Sequence, residues 1–143
     1  MSFTTCLIVM LGGAIGTLAR YVLSILTLPF SREMPWGTMG VNLSGSFLIG
    51  FFGTLTLAHG RYPASEPIRL FVMVGFCGGY TTFSSFSLQT LDLLRGGAMM
   101  RAAANICVSV AFCICAVAVG HLFASHLNKG TARIAQMAIE EEG

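Results

Sequence analysis

Charge is what this 143-residue chain has least of: eight Lys and Arg and six Asp and Glu, 10% of the residues, against 55% apolar. Soluble domains carry about a quarter charged residues, so the composition excludes a soluble globular protein and specifies a membrane protein. The net charge of +2 and the lack of any basic cluster exclude a nucleic-acid partner. The five cysteines, Cys6, Cys77, Cys107, Cys113 and Cys115, all fall in apolar stretches. None forms a CxxC pair or has a His at metal-ligand spacing, which argues against a metal or disulfide framework and for small buried hydrophobes. No basic residue precedes Arg20, and the first apolar stretch exceeds a signal-peptide core, so it reads as a retained first helix.

Roughly 20 apolar residues span a bilayer, and four segments meet that length. They run from about Phe3 to Leu28, Trp36 to Ala58, Ile68 to Leu94 and Ala102 to Ala124. The connections are short and punctuated: Pro29 to Pro35, Gly60 to Pro67, and Asp92 to Arg101 with its Gly96-Gly97 pair. The expected architecture is therefore all-α: a transmembrane domain over residues 1–127 and a polar tail over 128–143 that ends Glu140-Glu141-Glu142-Gly143. Fraying or disorder is expected of that tail, with a short surface helix as the alternative.

Four spans place Arg61, Arg69, Lys129 and Arg133 on one side and Arg20, Arg32, Arg95 and Arg101 on the other. Orientation follows an excess of Lys and Arg on the cytoplasmic side, and here there is none. Charge alone leaves two readings open: insertion both ways round with an antiparallel dimer, or one orientation fixed by a few heavily weighted charges. Close packing, within or between chains, is signalled by Gly12 and Gly16, by Ser46 and Gly50, and by the like spacing of Ala111, Cys115 and the larger Val119.

The central feature is GGYTTFSSFS, Gly78 to Ser87, in the middle of the third apolar run. Two glycines and six hydroxyl residues do not belong in a lipid-facing helix. Backbone leaves helical geometry at membrane depth only where protein buries it or where it lines a polar cavity, and membrane proteins place ion sites at such interruptions. Freed carbonyls there suit a cation, and freed N–H groups at a half-helix start suit an anion.

No enzyme signature is visible, and no acid or base sits in the central part of any span. Proton-coupled transport needs an intramembrane Asp, Glu or His, yet Asp92 and Arg20 lie toward span edges and His121 toward the end of the fourth span. Polarity at the centre comes from neutral groups such as Asn42, Thr81, Thr82, Ser84, Ser85, Asn105 and Ser109. That pattern suits passive movement of a small ion. Asn42 reads either as interhelical glue or as an amide donor to an anion. Phe83 and Phe86 flank two serines, and their positive ring edges can favour an anion without trapping it. Arg20 either snorkels to the interface or draws anions toward a vestibule.

The stretches GGAIGTLARY, GTMGVNLSGSFLIG and GFCGGYTTFSSFS, in that order, resemble the Fluc (CrcB) fluoride channels of microorganisms. The likeness covers the membrane part of the chain, with Ser85 where the family usually has Thr. It implies a fluoride-selective channel, not an enzyme, that exports cytoplasmic fluoride across the bacterial inner membrane and so confers fluoride resistance. It implies a dual-topology antiparallel homodimer with a broken third helix and two fluoride pathways. A structural sodium ion would lie at the dimer centre on the backbone carbonyls of Gly78 and Thr81. The pathway would be lined by Asn42, Phe83, Phe86, Ser84, Ser85, Thr82, Thr38 and Ser109, with Arg20 at a vestibule. Two rivals remain: a small proton-coupled exporter, which needs a carboxylate that the first span lacks, and a non-transporting assembly subunit.

Overall fold

The computed structural model describes residues 2–57 and 62–141, with side chains as far as Lys129. Among these residues there is no strand. The order is α1 (Phe3–Thr27), a 3-10 turn (Leu28–Phe30), α2 (Trp36–Leu55), α3 (Glu66–Arg69), a π-helical stretch (Leu70–Phe76), α4 (Cys77–Tyr80), α5 (Phe83–Arg95) and α6 (Met99–Glu141). Three stretches are long and apolar enough to cross a membrane: Phe3–Phe30, Trp36–Leu55 and Met99–Lys129. The remaining apolar run, expected as one span, is divided: α3, the π-stretch and α4 follow one another directly, and Thr81 and Thr82 then leave helical geometry before α5. α6 begins at Met99 and continues to Glu141 with no break at residue 128. The side chains of the tail after Lys129, Arg133 included, and the loop residue Arg61 lie outside the described residues.

Local chemistry explains the ends. Pro29 sits in the 3-10 turn, Pro35 precedes the first residue of α2, and Pro67 lies in the first turn of α3, where its missing N–H is harmless. The α5–α6 corner closes by a Schellman pair: Ala98 N–H donates to Leu93 O at 2.8 Å and Gly97 N–H to Leu94 O at 3.0 Å. That geometry requires a left-handed residue, and Gly97 supplies it with φ 75°. At the far end of α2, Arg69 donates to the Gly53 carbonyl at 3.0 Å and Asn128 to that of Thr54 at 3.1 Å. Two carbonyls at the helix end thus find donors, one of them cationic as the helix dipole favours.

Packing is built on glycine crossings. A Cβ on Gly16 would run into the carbonyl of Phe76 and come within 2.9 Å of Tyr80 N; one on Gly75 would lie 3.0 Å from the Gly12 Cα. The contacts of Gly12 and Gly16 advance from the π-stretch to α4, so α1 and the third run point the same way. α2 and α6 also run parallel: a Cβ on Gly50 would meet Val117, and Thr54 Oγ1 lies 2.8 Å from His121 Nδ1. α2 runs opposite to the third run, with Asn42 at Thr82 and Gly53 near Met73. The expected α6 stripe of Ala111, Cys115 and Val119 is exposed. The α2–α6 crossing within the chain uses Val117 and Gly120, because Gly120 lets the Phe47 carbonyl approach. An i, i+4 spacing of small residues recurs on more than one face of a long helix, and only the partner selects among them.

Candidate functional site: the helix break at Thr81 and Thr82

The break is an exchange of hydrogen-bond partners. Thr81 N–H donates to Cys77 O at 2.9 Å, the last helical bond of α4. Thr81 then turns extended, with φ −76° and ψ 158°, and Thr82 follows with φ −151° and ψ 112°. The Thr82 N–H would have continued the helix to the Gly78 carbonyl, but it donates to Asn42 Oδ1 at 2.7 Å instead. Asn42 Nδ2 donates back to Thr82 O at 3.0 Å. One carboxamide therefore grips both backbone polar groups of Thr82. Asn42 fulfils the glue reading while keeping one amide hydrogen uncommitted.

The Thr82 side chain starts the next helix. Its Oγ1 accepts from Ser85 N–H at 3.2 Å, an N-cap on α5, and lies 3.1 Å from Ser85 Oγ and 3.2 Å from Ser84 Oγ. Further along, Thr90 returns a hydroxyl to Phe86 O at 2.7 Å and accepts from Asn105 Nδ2 at 2.8 Å. Asn105, only 1% exposed, also lies 3.4 Å from Ser109 Oγ through its Oδ1. This satisfied buried network ties α5 to α6. On the other side of the break, Arg20 Nε donates to Gly79 O at 3.1 Å, with Thr17 Oγ1 at 3.4 Å. Arg20 is thus engaged at the end of α4 through its Nε.

A cavity of about 330 Å³ lies against the break. Asn42, Gly78, Thr81, Thr82, Phe83, Phe86 and Ser109 line it, together with Met73, Cys77 and Cys113. The Phe83 and Phe86 rings are tilted by 43° with centroids 5.4 Å apart, and Phe83 is 77% exposed. Seven of the residues expected at the site are therefore brought together. Ser84 and Ser85 adjoin the cavity through Thr82 without lining it, and Arg20 reaches the break from α1. Thr38 is elsewhere: it lines a second cavity of about 390 Å³ with Arg32, Gln89 and Asp92.

As for a cation, the Gly78 carbonyl has lost its helical donor to Asn42, and Gly78 faces open space, where a Cβ would meet nothing within 4 Å. The Thr81 carbonyl follows in extended backbone. Neutral carbonyl oxygens are hard donors that suit an alkali cation. Among the described residues no group of three or more His, Cys, Asp or Glu could hold a metal.

Sequence reasoning passed over Thr17 and Gln89, and took Tyr80 and Ser44 only as part of the polarity of the apolar runs. Tyr80 OH lies 2.9 Å from Ser44 Oγ. Gln89 Oε1 is buried without a partner among the described residues. Tyr80 stood inside the motif as a sixth hydroxyl, but its bond to α2 depends on helix register.

Comparison with known proteins gives the family. The family described as CrcB-like protein, camphor resistance (CrcB), matches residues 7–121. Similar proteins include the fluoride-specific ion channel FluC of Methylobacterium radiotolerans, 66% identical over the whole of both chains. That of Gluconobacter oxydans is 66% identical over 99% of each chain. That of Methylocella silvestris is 54% identical over 85% of this chain and 93% of its own. With the break, the neutral polar cavity and these matches together, the chain belongs to the CrcB family.

Proposed function

We propose that the chain is a fluoride-selective ion channel that lets cytoplasmic fluoride leave passively across the membrane and so protects the cell from fluoride. The observation that carries this reading is the cavity at the break: an amide, hydroxyls and two phenylalanine rings converge there with no acid or base among its lining residues. Fluoride is small and tightly hydrated, so an entry route must replace its water with dense donors. The uncommitted N–H of Asn42 is such a donor, while the Ser109 hydroxyl is held on Asn105 Oδ1. Ring edges of Phe83 and Phe86 add a weak positive field, favourable enough to enter and weak enough to leave. Relatives named fluoride-specific ion channels, one matching over its full length, support the same function.

The finer architecture belongs to the same proposal. Two copies of the chain pack in opposite orientations in the bacterial inner membrane, each crossing it four times with the broken run 66–95 as the third crossing. The balanced charge count supports dual insertion. Phe83, at 77% exposed, and Gly78, facing open space, are the surfaces a second copy would cover. Each copy would bring the carbonyls of Gly78 and Thr81 to the centre, giving four oxygens for a structural sodium ion. When bound, that ion supplies central positive charge; the chain's own residues orient the carbonyls, through Asn42 on Thr82 and Arg20 on Gly79.

The test is anion efflux from liposomes holding the purified protein, fluoride beside chloride, with Phe83→Ile beside the wild type. Rapid fluoride loss without chloride loss, slowed in the variant, is expected. Absence of fluoride flux from folded protein would overturn the channel and favour an assembly subunit.

A further inference from the structure

The hydrogen bond between Tyr80 and Ser44 has no part in the pathway described above. Tyr80 is 6% exposed and is the last residue of α4, directly ahead of the break. Its hydroxyl lies 2.9 Å from Ser44 Oγ. The Ser44 proton points to the Gly40 carbonyl at 2.8 Å, so Tyr80 donates and Ser44 accepts. The Tyr80 ring also stacks on Phe76, with centroids 5.6 Å apart and planes within 10°. Gly45 makes room for this arrangement: a Cβ there would lie 3.1 Å from Tyr80 Cδ1 and closer still to Thr81 Cγ2.

Three consecutive residues are thus held by a single turn of α2. Tyr80 bonds Ser44, Thr81 packs on Gly45, and Thr82 is gripped by Asn42. A two-point grip such as Asn42 on Thr82 tolerates little sliding, since both bonds must stay near 3 Å at once. The Tyr80–Ser44 bond fixes where α4 sits along α2, and therefore whether Asn42 meets Thr82 at all.

We infer that Tyr80 and Ser44 are a positioning pair through which α2 templates the helix break within a single chain. Neither side chain lines the cavity of Phe83 and Phe86, so an effect of either on permeation runs through the residues of the break that do. Only the flux arm of the test rests on the proposed channel function; the structural arm does not.

The experiment compares Tyr80→Phe, Ser44→Ala, their double variant and Ser44→Thr, which keeps the hydroxyl. Hydrogen exchange of the backbone amides across residues 78–85 is read in the purified protein by mass spectrometry, with α6 amides as the internal reference. Fluoride efflux is read from liposomes in parallel. Each hydroxyl-removing variant is expected to speed local exchange about fivefold, the equivalent of one ordinary hydrogen bond. The double variant is expected to go no further, Ser44→Thr to stay near wild type, and α6 exchange to be unmoved. Fluoride flux should fall in the same variants in the same order. Unchanged exchange at 78–85 in Tyr80→Phe would overturn the pair, as would a double variant that adds the two single effects. A bond that merely held the fold together would instead speed exchange in α6 equally, which also counts against positioning. Coupled local exchange in a protein that shows no fluoride flux would uphold the pair and refute the channel.

Discussion

Replacing Gly16 by Ala sets two known effects against each other. In an unobstructed helix the change is stabilising by about 1 kcal/mol, because Ala loses less backbone freedom than Gly. At Gly16 the new methyl meets backbone: it overlaps the Phe76 carbonyl and lies 2.9 Å from Tyr80 N and 3.0 Å from Phe76 C. Ordinary contact needs several tenths of an ångström more, so α1 must retreat from the π-stretch and α4 by an amount on the order of 1 Å. Overpacking of that kind costs about 1–3 kcal/mol. The retreat also stretches the 3.1 Å bond from Arg20 to the Gly79 carbonyl out of range, and a charge-assisted bond is worth about 1.5–3 kcal/mol. After the gain in helix propensity is set against them, the net loss is about 2–5 kcal/mol. Gly40→Ala is the matched control, since a Cβ there meets nothing within 4 Å and the propensity gain stands alone. Denaturation of the purified proteins, followed by circular dichroism, should therefore move in opposite directions for the two variants. A Gly16→Ala protein as stable as Gly40→Ala would refute the claim that α1 and the third run cross in direct backbone contact.

Thr82→Ala removes the cap of α5, a loss of about 1 kcal/mol, and should raise amide exchange at Ser85 while leaving α6 unchanged. Arg20→Gln keeps a side-chain N–H for the Gly79 carbonyl but removes the charge beside it. Fluoride efflux from liposomes should fall while the denaturation midpoint moves little; equal efflux would show that the charge contributes nothing. Arg101→Ala breaks the 3.2 Å pair with Glu33, whose side chains are 50% and 76% exposed, so stability should change by no more than about 1 kcal/mol. If the chain inserts both ways round, the same change should skew the two orientations in cells, read by the accessibility of a terminal tag.

The break was legible in the sequence because glycines and hydroxyls in an apolar run contradict plain lipid-facing helix, and residues 81 and 82 do leave helical geometry. The cavity lining was legible in the same way for Asn42, Phe83, Phe86 and Ser109. The π-stretch was not: LFVMVGF reads as any apolar helix. Nothing in its residues signals the wider turn, which lies opposite the glycines of α1. Arg20 was read as an interface or vestibule residue because it sits toward the end of the first apolar run. Its bond to Gly79 requires that α1 run parallel to the third run and touch it, a tertiary fact. Thr38 was placed on the pathway by the family resemblance, yet α2 touches different neighbours one turn apart, and Thr38 faces a separate cavity. Pattern reveals which residues are out of place in lipid; contact decides which of them meet.

The break also shows how a path for an anion can be made favourable without a charge inside it. α4 ends and α5 begins within two residues, so a carbonyl end and an N–H end of two helices lie next to each other. Left alone, their partial charges would oppose each other locally. The arrangement here is asymmetric. The carbonyl end is answered by Arg20 on Gly79, while at the N–H end Thr82 Oγ1 takes the N–H of Ser85. The first N–H groups of α5, those of Phe83 and Ser84, have no helical acceptor and belong to the stretch that carries the phenylalanine rings. At those N–H groups the backbone field is positive and independent of pH, while the Gly78 carbonyl, left by Thr82, keeps a negative pole on the other side of the break. A lysine or arginine in the cavity would hold an anion more tightly and release it more slowly, since exit requires weak binding. Fixed dipoles, ring edges and neutral donors make a shallower well, which is the electrostatic form that rapid passive passage requires.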